Sequence, residues 1–63
     1  MLNITGTLVC EIDGDTQIWD DDGLYGVEVN EQNEAVGVFP LNEVNRYWVE
    51  PHLVAIGVSF PED

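Results

Sequence analysis

The stretch "LNEVNRYWVEPHLVAIGVSF", residues 41–60, decides the architecture. Within it Val54, Ile56, Val58 and Phe60 alternate with other residues, which puts all four on one side of an extended chain. Pro51-His52 interrupts the run, because proline cannot donate to a ladder. Residues 47–50 therefore read as a brief strand, residues 53–60 as the last strand, and residues 41–45 as a short helical turn. No stretch carries a convincing helical stripe.

The chain upstream reads in the same register. Leu2, Ile4, Leu8, Cys10 and Ile12 fall on one face of a first strand, with Val9 the apolar exception on the other. Gly6 marks a bulge or bend within it. Asp13-Gly14-Asp15 is a turn signal, and residues 16–19 pair back as a hairpin. Residues 20–23, Asp-Asp-Asp-Gly, form the next turn, since Asp caps nearby N–H groups and Gly accepts positive φ. Residues 24–30 alternate again, with Tyr25, Val27 and Val29 opposite Gly26 and Glu28. Residues 31–34 turn, and residues 35–39 make a strand ended by Pro40. Pro61-Glu62-Asp63 reads as an acidic tail. Five or six short strands at close intervals predict an all-β protein, a small five- to six-stranded barrel filling residues 1–63 as a single domain.

Part of this pattern resembles a known family. Within "DDGLYGVEVNEQNEAVGVFPLNEV", the run Gly37-Val38-Phe39-Pro40-Leu41-Asn42-Glu43-Val44 is similar to the G-[LV]-F-P-x-N-Y-V segment of SH3 domains. The resemblance covers about a third of the chain and implies an SH3-like barrel. The family's peptide-binding aromatics do not carry over: Leu24 stands where the first Trp falls, and Glu43 where the Tyr falls. A proline-rich peptide groove needs those rings.

Composition narrows the chemistry. The 63 residues hold 13 acids, one Arg and no Lys, a formal charge of −12. Direct nucleic-acid binding and anionic membrane binding are disfavoured, because phosphate contacts need Lys and Arg. The longest nearly apolar run, "LVAIGVSF", is too short for a bilayer, and no signal-peptide pattern opens the chain. Cys10 is the single cysteine, so no internal disulfide forms, which fits a cytoplasmic setting. Cys10 reads as a core residue on the apolar face of the first strand.

Catalytic and metal signals are weak. An EF-hand loop needs Gly at its sixth position and Glu at its twelfth. Aligning Gly23 as the sixth puts Ile18 first and Val29 twelfth; starting at Asp13 puts Ile18 sixth. Both registers fail. His52, Ser59 and Cys10 are each alone of their type, and a Ser59–His52 pair has no evident oxyanion hole. Binding rather than catalysis is expected, with no cofactor.

The charge pattern carries the functional expectation. Glu11 and Asp13 lie two apart, so on one strand face their carboxylates recur about every 6.8 Å, near the spacing of successive phosphates. The profile is compositionally similar to phage-encoded nucleic-acid mimics such as anti-CRISPR and anti-restriction proteins. That resemblance implies an inhibitor that occupies the basic site of a nucleic-acid-binding protein in the host cytoplasm. Glu11, Asp13, Asp15, Asp20, Asp21, Asp22 and Glu28 are the expected contact acids, gathered if the turns cluster at one end, with Trp19 as an apolar anchor. Two alternatives stay open: an interaction module or small subunit of a complex, whose acidity only confers solubility, and adaptation to high salt. Oligomeric state is not readable.

Overall fold

β-Branched residues and well-placed turns produce a meander of four antiparallel strands, and one helix follows it. A computed structural model describes residues 2–59. The elements are β1 (Thr7–Ile12), β2 (Thr16–Asp20), β3 (Leu24–Val29), β4 (Ala35–Pro40) and α1 (Glu43–Ala55). The sheet order is β1-β2-β3-β4, each neighbour antiparallel. Asp13 (φ 56) and Gly14 (φ 78) close the first hairpin in left-handed conformations that match strand twist. In the third connection, Asn30 Oδ1 accepts from the Gln32 and Glu34 amides, at 3.0 and 2.9 Å.

Register assigns the two faces. Cys10, Ile18, Gly26 and Phe39 are successive partners across all four strands, so their side chains share one face. Leu8, Trp19, Tyr25 and Pro40 form the neighbouring row on the other. A register shift between Leu8 and Cys10 separates the two rows on β1. It places Leu8 opposite the face expected from simple alternation and frees Val9 to pack against the core. Gly6 lies outside β1 at a bend, with φ 99.

The helix lies on the Ile18 face. Ile12 and Ile18 from the sheet cluster with Val49 and Leu53 from α1, and Val9, Cys10, Leu24, Leu41 and Val58 pack around them. Complete burial of such a side chain contributes about 1.5–3 kcal/mol. Phe39 lays its ring over Gly26, where any Cβ would collide with it. Trp48 leans on that ring at 5.7 Å between centroids.

Both helix ends are closed. Asn42 is the N-cap: its side chain accepts from the Asn45 amide at 3.0 Å, and Asn45 Nδ2 donates to the Pro40 carbonyl at 2.7 Å. At the other end, the Val58 amide donates to the Leu53 carbonyl at 2.9 Å and the Gly57 amide to that of Val54 at 3.0 Å. With Gly57 at φ 80, this is a Schellman motif, and Val58 makes its apolar contact with the Leu53 cluster.

These features correct the barrel expectation. The sheet is open, with four strands, and much of the segment expected to close it is helical. Residues 47–50 lie inside α1, and residues 53–55 form its last turn, followed by the Schellman turn instead of a strand. The remainder of the expected last strand from residue 60, and the acidic tail, lie outside the described residues. Pro51 sits within the helix and does not break it. Its missing N–H leaves the Tyr47 carbonyl without that helical donor, at an exposed position where the loss costs least. No helix among the described residues is long and apolar enough to cross a membrane.

Replacing Pro51 by Ala restores an N–H and removes a ring from mid-helix. Pro51→Ala is expected to raise stability in urea unfolding by about 1–3 kcal/mol, with helical circular dichroism retained. A neutral or destabilising outcome would argue against a helix through this position.

Candidate functional site

The acids sit where a meander places its turns. Asp13 and Asp15 flank the β1–β2 turn, and Glu31 and Glu34 lie in the β3–β4 connection at the same end of the sheet. Asp20, Asp21 and Asp22 lie at the opposite end, in the β2–β3 turn. Glu43, the first residue of α1, follows β4 out of that same end. β2, which separates the two ends, is five residues long, or roughly 15 Å at the rise of a strand. The Debye length at physiological ionic strength is about 8 Å, so the two groups act as separate negative poles there and merge only in dilute salt.

The eight residues singled out from sequence therefore do not form one patch. Asp20, Asp21 and Asp22 come together; Asp13 and Asp15 form the other group. Asp13 has left the strand, with φ 56, so the spacing it would share with Glu11 along an extended face is not realised. Glu11 pairs with Gln17 and Glu28 with Thr16, adjacent residues of β2, so the two glutamates project from opposite faces. Glu43 was not among the sequence candidates; Asn42 as a helix cap was the available signal.

The Asp20–Asp22 group answers to local needs as well. Asp20 Oδ1 accepts from the Gly23 amide at 3.2 Å and the Asp21 amide donates to the Gly23 carbonyl at 3.0 Å. Asp21 Oδ2 accepts from the Thr5 hydroxyl, which ties the N-terminal segment to the turn. Tyr25 reinforces this by donating its hydroxyl to the Thr5 carbonyl at 2.6 Å. Asp22 stands at φ 58, exposed, and its carboxylate accepts no hydrogen bond among the described residues. Asp22 thus serves the turn through its left-handed backbone alone, and its carboxylate has no structural duty.

Trp19 is half-buried on the sheet face that α1 does not cover. Its Nε1 donates to Gln17 Oε1 at 3.0 Å, and Gln17 Nε2 donates to Asn33 Oδ1 at 3.1 Å. This chain satisfies the buried Gln17 side chain and fixes the indole along the sheet, as a lid on its own strand. Arg46 donates from Nε and Nη2 to Glu50 Oε2 at 3.2 and 3.1 Å. The pair is partly exposed and worth a few tenths of a kcal/mol. One arginine leaves the great majority of the thirteen acids without a basic side chain to face.

Catalytic geometry is not evident in these groupings. Among the described residues no cluster of three or more His, Cys, Asp or Glu is close enough to hold a metal ion. His52 is in the last turn of α1, and Ser59 lies beyond the Schellman turn with no hydrogen bond to it. An open hollow of about 340 Å³ is lined by Val9, Asp20, Gly23, Leu24, Val58 and Ser59. Cys10 is half-buried beside the core, and burial pushes its thiol up, which lowers the thiolate fraction at neutral pH. Comparison of the chain with protein-family models, curated proteins and solved structures finds no match.

The division of labour in the acidic turn is measurable. Asp20→Ala is expected to lower stability by about 0.5–1.5 kcal/mol, the worth of a turn hydrogen bond. Asp22→Asn is expected to be neutral or slightly stabilising, because Asn tolerates positive φ and one repulsive charge is lost. Thermal melts in dilute buffer separate the two; equal losses would contradict the assignment.

Proposed function

We propose that the protein is a binding protein whose target is positively charged, best exemplified by the basic groove of a nucleic-acid-binding defence or DNA-handling protein, which it blocks as an inhibitor. The observation that supports this reading is the near absence of internal neutralisation. Acids at both ends of the sheet are exposed, the single Arg is engaged with Glu50, and the charge is −12. Such a field steers association with a cationic site and repels nucleic acid itself.

The two poles shape how a target is met. A cationic groove longer than about two Debye lengths meets both poles at once; a compact cationic site meets one. Asp20, Asp21, Asp22 and Glu43 form the better candidate for a single pole, since all four lie at the end of the sheet where α1 begins, and Glu43 itself sits in the first turn of the helix, where its dipole favours a carboxylate. Trp19 is the candidate anchor on the open sheet face, alongside Leu8 and Tyr25.

The test uses basic proteins retained on the immobilised protein at 50 mM salt and displaced by duplex DNA. Reversing charge at Asp20, Asp21 and Asp22 is expected to slow association about tenfold in dilute salt, with a smaller change in dissociation. Added salt is expected to narrow that difference. An association rate indifferent to both the reversal and salt would remove the acidic pole from the mechanism.

A further inference from the structure

α1 is apolar on two opposite sides, and only one is used by the fold. Val49 and Leu53 point into the core. Val44, Tyr47, Pro51 and Val54 follow at intervals of three or four residues on the other side. Val44 is 76%, Tyr47 85% and Val54 65% exposed, and Pro51 is exposed as well. Trp48, 39% exposed, borders the stripe and joins it to the core through Phe39. The Tyr47 side chain makes no hydrogen bond or ring contact among the described residues. Its ring serves no purpose in holding the described fold together.

We propose that this outer stripe of α1 docks a basic amphipathic helix of a partner protein, with the partner's apolar face on Tyr47, Val44 and Val54 and its flanking Lys or Arg residues toward Glu43 and the acids at the same end of the sheet as the helix start. The proposal rests on the reading that the target is cationic, and it adds where the contact lies and what shape it fits. Charge decides among the possible occupants. A second copy would bring a charge of −12 against −12. An apolar helix flanked by cations meets the stripe and the acid of its first turn, Glu43, together. The 13 residues of α1 run for roughly 20 Å, enough to seat about four turns of a partner helix. The geometry is that of ridges packed into grooves, with axes ~8–10 Å apart. Trp48 and Phe39 stiffen one border, so little ordering is needed there on binding. A stripe of five side chains makes a small interface, suited to micromolar, reversible association.

The probe is a 14-residue amphipathic peptide of Leu and Lys at helical spacing, compared with a peptide of the same charge in which every Leu is Ser. Binding is read by calorimetry at 100 mM salt, alongside sedimentation equilibrium of the protein alone. The Leu/Lys peptide is expected to bind in the micromolar range. Tyr47→Ser and Val54→Ser are expected to weaken it at least tenfold, while Val38→Ser on the exposed sheet edge leaves it within twofold. Both helix positions are exposed, so circular dichroism should be unchanged. If the Ser/Lys peptide binds equally well, the cationic-target reading stands and the docking stripe is overturned. If neither peptide binds, both fail. Sensitivity to Val38→Ser equal to that of Tyr47→Ser moves the contact to the sheet and overturns the proposal. So does a dimer of the free protein that Tyr47→Ser dissociates.

Discussion

The packing of Val49 and Leu53 against Ile12 and Ile18 is the contact on which everything else depends. A four-stranded meander has two faces and no means of covering either by itself. α1 supplies one cover. The cap at Asn42 fixes where the helix starts, and the Schellman turn at Gly57 returns Val58 to the same cluster, so the lid is fastened at both ends. The core is small: Ile12, Ile18, Val27, Val29, Val49 and Leu53 are its buried apolar residues. With no disulfide to assist, loss of one of these contacts is a large fraction of the stability available to a domain of this size.

The same architecture dictates where charge can go. Turns are the positions left over once strand residues have been committed to packing, and a meander sends successive turns to opposite ends. The turn acids are therefore sorted into two poles by topology. Several of them are also good turn residues: Asp20 caps the Gly23 amide, Asp21 holds Thr5, and Asp13 and Asp22 accept left-handed backbone. Turn formation explains an Asp at such a site, yet not the absence of lysine around it. That absence is what remains for function to explain.

Much of the sheet was legible in the sequence, because period-two alternation and the Asp, Asn and Gly turns act locally. Residues 24–30 and 35–39 differ from β3 and β4 only at their ends. Leu8 was misplaced because a bulge shifts register without leaving a reliable mark in an apolar run. The helix was hidden for a different reason. Its two apolar sides blur a single stripe, Pro51 argues for a break, and Val54, Ile56 and Val58 imitate a strand. In the fold these three serve unlike ends: Val54 is on the outer side of the helix, Ile56 is its C-cap and Val58 is the Schellman contact. Asn42 and Gly57 were the signals that bracket a helix between them. Residues 37–44, the run likened to an SH3 segment, leave β4 at Pro40 and enter the helix that Asn42 caps. The scatter of the acids was in turn implicit in the hairpins: once residues 13–15 and 20–23 are consecutive turns of a meander, they cannot share an end.

The most direct measurement is a set of methyl and amide nuclear Overhauser contacts in a labelled sample, read with backbone chemical shifts. The account requires helical shifts through residues 43–55 and contacts from the methyls of Leu53 and Val49 to those of Ile12 and Ile18. Extended shifts over residues 53–59, with cross-strand contacts joining that segment to β1 as the closing strand of a barrel, would contradict it.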